Sequence, residues 1–463
     1  MKPSAAAADK SLLQAASTGC DFQPRLYQMI LLTGWRRMDF DLIVRGGTLP
    51  DGRVADIGIN GETIAAIEPV LQGSARTEVD AHGNLVSPPF VDPHFHMDAT
   101  LSYGIPRINA SGTLLEGISL WGELKPLLTH EAVRDRALAY CDWAVSMGLL
   151  AIRTHVDVCD DRLLAVEALL EVKKTVAPYI DLQLVAFPQD GFYRSPSARE
   201  NTIRALDMGV DIVGGIPHFE RTMADGTRSV TELCEIAASR GLMVDLHCDE
   251  TDDPLSRHIE QLAYEAQRLG LHGKVAGSHL TSMHSMDNYY VSKLLPLIAE
   301  AGVSVIPNPL INIMLQGRHD TFPKRRGLTR VKEMLALGIR VGWGQDCVLD
   351  PWYSLGTADM LDVAFMGLHV AQMSSPAEMA RCFDMVTNVN AAIMGLDHLG
   401  LAVGKRASLV VLDAGNPVEA LRLRAERLCV IARGKVVAER TKQETRLSIG
   451  GRPGMVNRRH ISS

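Results

Sequence analysis

Phe90-Val91-Asp92-Pro93-His94-Phe95-His96-Met97-Asp98 is the most informative stretch of this chain. It is apolar and extended up to Val91, and it then presents two histidines separated by one residue. Residues two apart on a β-strand point to the same side, so His94 and His96 can direct their imidazoles at one point. Divalent metals bind to imidazoles that converge in this way. An H-x-H pattern alone is weak evidence, and it gains weight only from matching signals at the ends of other strands.

The middle of the chain alternates short apolar runs with amphipathic stretches that are typical of helices. Eight runs are predicted to be strands: Leu85–Val91, Leu149–Val156, Leu182–Phe187, Asp211–Ile216, Leu242–Leu246, Lys274–Ser278, Val303–Ile306 and Ile339–Trp343. Strands that are apolar throughout and alternate with helices predict an α/β fold, here a (β/α)₈ barrel. Functional groups in this fold belong at the C-terminal ends of the strands. Polar residues do cluster there: His94, His96, Gln189, His247, Glu250, His279 and Asp346.

The two ends of the chain have a different texture, with short strands separated by glycines. The predicted strands are Asp41–Arg45, Ala55–Asn60 and Thr63–Pro69 near the start, and Ala407–Asp413, Leu428–Ala432 and Lys435–Ala438 near the end. This pattern predicts one small β-sandwich built from both chain ends. The expected domains are residues 38–87 with 399–445 for the sandwich, 88–398 for the catalytic barrel and 446–463 for a tail. Residues 1–37 are expected to be a disordered leader, with the functional protein starting near Met38.

Composition excludes several classes of protein. The 463 residues carry a net charge of −7, which argues against a surface that binds nucleic acid through phosphate contacts. Eight cysteines without a C-x-x-C pair indicate reduced thiols and a cytoplasmic location. No uninterrupted apolar stretch approaches the roughly 18 residues of a membrane span. We therefore expect a homo-oligomeric protein that acts on a small molecule, without nucleic-acid or membrane partners.

From about Met38 to Arg440, the chain resembles the amidohydrolase superfamily, and within it the bacterial cytosine deaminases. Long, ordered motifs carry this resemblance: Pro93-His94-Phe95-His96-Met97-Asp98, Arg153-Thr154-His155-Val156-Asp157, Val185-Ala186-Phe187-Pro188-Gln189, His247-Cys248-Asp249-Glu250, Ser278-His279, Asn308-Pro309-Leu310-Ile311-Asn312-Ile313, Leu315-Gln316-Gly317-Arg318 and Asp350-Pro351-Trp352-Tyr353. The resemblance implies one divalent metal ion. Its implied ligands are His94, His96, His247 and Asp346.

The donor set supports a single metal on chemical grounds. Three imidazoles and one carboxylate suit iron(II), zinc or manganese, and they leave a coordination position for water. Binuclear members of the superfamily need a bridging lysine at the end of strand four. Here that segment reads Ile216-Pro217-His218-Phe219-Glu220 and contains no lysine. A mononuclear site is therefore expected.

The resemblance also implies roles for the other polar residues. Asp346 would accept the proton of the attacking water, and His279 would orient that water. Glu250 would protonate the ring nitrogen and carry a proton to the leaving amine. Gln189 offers an amide donor and acceptor to a neutral pyrimidine edge, and Trp352 is expected to form a wall of the pocket. The expected reaction is the hydrolytic deamination of a cytosine-type base with loss of ammonia.

One position departs from the family pattern. Cytosine deaminases of this type usually carry two aspartates at the end of strand eight, whereas this chain has Asp346 followed by Cys347. Cysteine is smaller than aspartate and mostly neutral near pH 7. The pocket is therefore expected to tolerate an apolar ring substituent such as a 5-methyl group. The alternative is that Cys347 packs under the ligand and leaves specificity unchanged.

Other interpretations stay open at this point. The same chemistry fits isocytosine, creatinine or an N-substituted triazine, and a more remote alternative is a non-catalytic assembly subunit. Zinc deaminases with H-x-E and P-C-x-x-C signatures are excluded, because no P-C-x-x-C occurs. We expect His155 to be a buried, hydrogen-bonded structural residue. His218 and Glu220 fit a pocket lining and a simple strand end equally well.

Overall fold

A computed structural model of the chain describes residues 40–441 and 445–451. Five strands come first: β1 (Phe40–Thr48), β2 (Val54–Asn60), β3 (Thr63–Glu68), β4 (Ala75–Asp80) and β5 (Leu85–Ser87). Seven strands follow: β6 (Phe90–Phe95), β7 (Leu149–Asp157), β8 (Asp181–Phe187), β9 (Ile212–Gly215), β10 (Met243–Cys248), β11 (Val275–His279) and β12 (Ser304–Ile306). The last three are β13 (Leu409–Leu412), β14 (Arg427–Ala432) and β15 (Lys435–Glu439).

Helices fill the intervals between the barrel strands and follow the last of them. The first seven are α1 (Leu114–Leu124), α2 (His130–Ser146), α3 (Leu164–Val176), α4 (Ala198–Met208), α5 (Met223–Arg240), α6 (His258–Arg268) and α7 (Asn288–Ala301). The others are α8 (Pro309–Leu315), α9 (Val331–Ala336), α10 (Met360–Val370), α11 (Pro376–Asp384), α12 (Asn388–Ile393) and α13 (Pro417–Leu423).

Strands β6 to β12 form one parallel sheet in chain order, which confirms the predicted barrel. The eighth predicted strand, Ile339–Trp343, is wrong as a continuous strand. In its place the chain makes isolated bridges from Val341 to Val305 and from Asp346 to Phe95, which join the two edges of the sheet. A regular ladder is interrupted here because both backbone groups of Trp343 bond outside the sheet: its N–H donates to the Met385 carbonyl at 3.1 Å, and its carbonyl accepts from the Asn390 side-chain amide at 2.8 Å. The barrel thus closes through a short irregular segment that ends at Asp346.

The two chain ends build one sheet, in the order β15-β14-β13-β5-β1-β2-β3, with β4 paired to β1. The sequence correctly predicted that both ends contribute. The predicted sandwich is, however, a single hydrogen-bonded sheet whose edge strand β3 returns to bridge Arg406, just before β13. Apolar residues of both ends, such as Ile57 and Leu409, share one core as a result. Strand β4 was not predicted, because three of its six residues are charged and only Ala75 and Val79 are apolar, and most of the strand is exposed.

The predicted strand Leu85–Val91 is also wrong as one element. The chain divides at Pro88-Pro89, so that β5 pairs with β13 in the end sheet and β6 pairs with β7 in the barrel. Proline has no N–H to donate to a ladder, and two in a row stop the pairing. The break redirects the chain from one sheet into the other and places His94 at the end of the first barrel strand.

Some expectations concern segments on which the structure is silent. The predicted leader 1–37 and residues 452–463 of the predicted tail lie outside the described residues. Within the described ranges, no helix is both long and apolar enough to cross a membrane. The seven cysteines of those ranges are all free thiols, in line with the expected absence of a disulfide framework.

Candidate active site

The four predicted metal ligands meet at the C-terminal end of the barrel. His94 and His96 come from the end of β6, His247 from β10, and Asp346 from the segment that closes the barrel. Nε2 of His96 lies 3.0 Å from Nε2 of His247 and 3.3 Å from Oδ1 of Asp346. Nε2 of His94 lies 3.5 Å from the same Asp346 oxygen. These spacings between nitrogen and oxygen atoms are those of ligands that surround one point.

The electrostatics of this cluster fit a cation. Burial holds the pKa of His247 well below its usual value, and the neighbouring His94 lowers it further, so this ring is neutral and keeps a lone pair. Burial alone would raise the pKa of Asp346, but the imidazoles of His279 and His94 outweigh it and keep the carboxylate ionised. Nε2 of His94 is buried and has no hydrogen-bond partner among the described residues. Two overlapping sets of buried side chains are close enough to hold a divalent metal ion: His94, His247, His279 and Asp346, and His94, His96, His155 and His247.

Glu250 and His279 face each other beside this cluster. Oε1 of Glu250 lies 3.4 Å from Nδ1 of His279, whose ring is also 3.8 Å from the Asp346 carboxylate. Burial raises the pKa of Glu250 well above its usual value, and the charge of Asp346 adds to the effect. Burial and the nearby negative charge thus favour the protonated form of Glu250. Two neighbouring carboxyl groups whose environments shift their pKa values in opposite directions are typical of acid–base catalysis.

The backbone is strained at two of these positions. His279 and Asp346 both have φ near +70°, in the left-handed region that residues other than glycine rarely adopt. Each of them is the residue at which a barrel segment ends and its side chain turns toward the cluster. Strain of this kind persists only where the surrounding structure fixes it, and it concentrates at functional sites.

A cavity of about 200 Å³ opens above the cluster. Its floor is polar and is formed by His96, His247, His279, Glu250, Asp346 and Gln189. Its outer wall is apolar and comes from two elements, with Leu114, Leu115 and Ile118 on α1 and Ile311 and Leu315 on α8. Leu115 is 69% exposed and marks the mouth. The pocket can therefore hold a small ring against the polar floor and exclude water along its sides.

All three predicted substrate contacts line this cavity. Gln189, Cys347 and Trp352 are each less than a tenth exposed. Sγ of Cys347 lies 3.6 Å from Oδ1 of Asp346. Burial raises the pKa of this thiol well above its usual value, and the carboxylates of Asp346 and Asp350 raise it further, so the thiol is neutral. The Trp352 ring lies 6.2 Å from that of His96, centroid to centroid, and closes one side of the pocket.

Sequence reasoning missed residues around this cluster. Asn312, on helix α8, places its side-chain amide 2.9 Å from Nδ1 of His279, and the sequence showed it only as part of the motif that begins at Asn308. His155 is buried as expected, but neither ring nitrogen has a hydrogen-bond partner, and its nearest carboxylate, Asp245, is 3.7 Å away. Its ligand atoms lie within reach of those of His94, His96 and His247.

His218 and Glu220, which follow β9 and could each have lined the pocket or only ended a strand, differ in position. His218 lines the cavity, and burial lowers its pKa to about 4, so its ring is neutral. Glu220 accepts the backbone N–H groups of Phe192, Tyr193 and Arg194. It therefore fixes the loop that follows Gln189 and does not line the cavity.

Comparison with known proteins agrees with this geometry. A family described as the amidohydrolase family matches residues 77–438. The crystal structure of 5-methylcytosine deaminase from Klebsiella pneumoniae, liganded with 5-fluorocytosine, is 43% identical in sequence with a TM-score of 0.85, over 88% of this chain and 99% of that one. N-isopropylammelide isopropyl amidohydrolase of Pseudomonas sp. (strain ADP) is 30% identical, over 87% of this chain and 98% of that protein. Pterin deaminase of Rhizobium rhizogenes is 29% identical, over 83% and 87%.

The match to the family covers the whole barrel, every residue of the buried cluster, and strands β5, β13, β14 and most of β15 of the end sheet. The chain belongs to the amidohydrolase family, and it is a hydrolase that acts on carbon–nitrogen bonds.

Proposed function

We propose that this amidohydrolase is a metal-dependent deaminase of cytosine-type bases, 5-methylcytosine and cytosine, that releases ammonia. The observation that carries the proposal is the position of Glu250, which lies on the floor of one small cavity beside the buried His/Asp cluster, 3.4 Å from Nδ1 of His279. Hydrolysis of a cyclic amidine needs an activated water on one side of the reacting carbon and a proton donor on the other. The similarity to the Klebsiella 5-methylcytosine deaminase supports the same substrate class.

In this proposal, His94, His96, His247 and Asp346 hold a single iron(II), zinc or manganese ion. When bound, the metal supplies the positive charge that lowers the pKa of water toward about 7. Asp346, ionised in the fold, accepts the proton of the attacking water. His279 hydrogen-bonds to that water and orients it.

Glu250 donates its proton to the ring nitrogen and then carries the proton held by Asp346 to the amine. As the carbon–nitrogen bond breaks and ammonia leaves, the proton of the newly attached hydroxyl passes to Glu250, which gives the carbonyl product and restores the protonated acid. Gln189 binds the edge of the ring through its amide. Trp352 covers the ring from the side of α1.

Cys347 is proposed to set the preference for the ring substituent. A neutral, buried thiol beside Asp346 leaves an apolar space in which a 5-methyl group can be buried, and burial of a methyl contributes on the order of 1 kcal/mol. A carboxylate in the same place would crowd the methyl group and would lose its hydration against it. We therefore expect 5-methylcytosine to be used at least as efficiently as cytosine.

The test is kcat/KM for both bases in the wild-type protein and in Cys347→Asp, because discrimination is the ratio of these values. The variant should shift the ratio toward cytosine several-fold. Cys382→Ser, at a buried thiol outside the cavity, serves as the control and should leave the ratio unchanged. An equal ratio in Cys347→Asp and wild type would mean that Cys347 only packs under Asp346.

A second substrate class is favoured by the apolar outer wall. The leucine and isoleucine side chains of α1 and α8 at the mouth can contact an alkyl group on the leaving amine, as an N-alkylated triazine would present. The relative named for N-isopropylammelide supports this candidate. Measuring isopropylamine release from N-isopropylammelide against ammonia release from 5-methylcytosine distinguishes the two. Isocytosine and creatinine belong in the same panel.

A further inference from the structure

A network of hydrogen bonds joins His94 to three other buried polar side chains. Nδ1 of His94 lies 2.9 Å from Oγ of Ser278. That hydroxyl donates to Oδ1 of Asp245 at 3.0 Å, and Nη1 of Arg153 donates to Oδ2 of Asp245 at 2.8 Å. Arg153, Asp245, Ser278 and His94 are all fully buried.

The hydrogen bonds of this network determine where the protons of Ser278 and His94 lie. A carboxylate paired with a guanidinium can only accept, so the single hydroxyl hydrogen of Ser278 points to Asp245. The Ser278 oxygen must then accept from Nδ1 of His94, which fixes a proton on that nitrogen. Nε2 of His94 is left unprotonated, and this is the atom that faces Asp346 without another partner. A histidine in this tautomer can offer Nε2 to a metal.

The strand register explains how these residues meet. In the parallel pair β10 and β11, Ser278 lies opposite His247, and Asp245 is two residues earlier on the same face as His247. Arg153, on β7, reaches Asp245 across the barrel interior and also donates to Gln183 at 3.0 Å. Barrel interiors are usually filled by branched apolar side chains. A buried ion pair here costs desolvation energy and is weak evidence for a stabilising role.

We propose that Arg153, Asp245 and Ser278 are positioning residues that hold His94 in the tautomer and orientation in which Nε2 binds the metal. This inference rests on the proposed metal site and extends it to residues that touch neither the metal nor the substrate. Hydrogen bonds to the second nitrogen of a ligating histidine raise its basicity and fix its ring. Asp245 supplies the negative charge for this effect, and His155, 3.7 Å away, and the guanidinium of Arg153, 2.8 Å away, favour its ionised form.

The experiment measures the metal affinity of the full chain by competition with a chelator, using zinc as the probe. Ser278→Ala removes the acceptor for Nδ1 of His94 without adding bulk. We expect its zinc affinity to fall about 10- to 100-fold, while thermal unfolding of the metal-free protein changes no more than in the control. The control is Ser229→Ala, another fully buried serine, whose hydroxyl donates to the Gly226 carbonyl at 2.8 Å on helix α5.

Two further variants separate positioning from packing. Ser278→Thr keeps a hydroxyl and should retain most of the affinity that Ser278→Ala loses. Asp245→Asn keeps the shape but replaces an acceptor by an amide, and it should weaken zinc binding as Ser278→Ala does. If wild type binds zinc and Ser278→Ala binds it as tightly as Ser229→Ala, the positioning role is refuted. If wild type itself binds no metal, the proposed metal site fails instead, so the two failures are distinct.

Discussion

Glu250 is buried beside a second carboxylate, and this environment determines its protonation. Its proton is the one that the proposed reaction transfers to the ring. Glu250→Gln keeps the size of the side chain and removes that proton transfer. We expect metal content to stay intact and kcat to fall by about 10² or more, the usual contribution of a general acid or base.

Glu265→Gln is the matched control for this change, since Glu265 is equally buried but lies on helix α6, outside the cavity. Its turnover should be close to that of wild type. Near-full activity of Glu250→Gln on every substrate that the wild type uses would show that Glu250 has another role.

Asp350 holds the backbone of the pocket wall, and its buried carboxyl group makes the stability of the fold depend on pH. Its carboxyl group accepts the N–H groups of Trp352 and Tyr353, and burial raises its pKa from 3.8 to about 7. The folded protein therefore holds a proton that the unfolded chain releases above about pH 4. The resulting stability is fully present below about pH 4 and is lost as the pH rises through about 7.

Asp350→Asn removes this titration. Unfolding free energies from denaturant titrations between about pH 4 and about pH 8 should fall with pH more steeply in wild type than in the variant. Asp92 and Asp98, whose pKa values are also raised by burial, contribute equally to both proteins and cancel in the difference. Parallel curves for the two proteins would contradict the assignment to Asp350.

Helix α1 carries the outer wall of the pocket, and a glycine sets its distance from Trp352. A Cβ atom on Gly117 would lie 2.3 Å from Cδ1 of Trp352, whereas one on Gly122 of the same helix would meet nothing within 4 Å. Gly117→Ala should therefore displace Trp352, at a cost of about 1–3 kcal/mol, and should raise KM. Gly122→Ala should be neutral or slightly stabilising, because alanine favours helix. Equal KM values for the two variants would mean that Trp352 does not contact the substrate.

The strand ends show what the sequence could predict at this scale. The apolar runs that His247 and His279 follow directly predicted both the strand and the place of its functional group, because parallel strands end on one side of a barrel. The segment near Asp346 did not form a regular strand, since the Asn390 side chain takes up one of its carbonyls. That contact joins residues far apart in sequence. The sequence around either residue therefore does not predict this contact.

Interior polar residues were the least predictable part of the site. Arg153 and Asp245 lie in the buried strands β7 and β10, and their pairing depends on how these strands are arranged around the barrel. Asn312 was visible as part of a motif, but its contact with His279 depends on the start of helix α8. The positions of residues that end a strand could be predicted from the sequence. The positions of residues that hydrogen-bond to them from inside the barrel could not.

For the whole molecule, the residues that carry the proposed chemistry all lie between His94 and Trp352, and the strand pattern of the sequence begins at Met38. A protein that starts at Met38 should therefore have the same kcat/KM as the full chain, within experimental error. Light scattering on both preparations tests the expectation of a homo-oligomer. A folded but inactive truncated protein would show that residues 1–37 contribute to function.

The central claim is metal-dependent deamination, and its most direct test is ammonia release from 5-methylcytosine by metal-free protein and by protein loaded in turn with iron(II), zinc and manganese. The metal-free protein should be inactive, and at least one metal should restore turnover with a kcat/KM for 5-methylcytosine that equals or exceeds that for cytosine. Ammonia release that is unaffected by removal of the metal, or no release from either base with any of the three metals, would contradict the account.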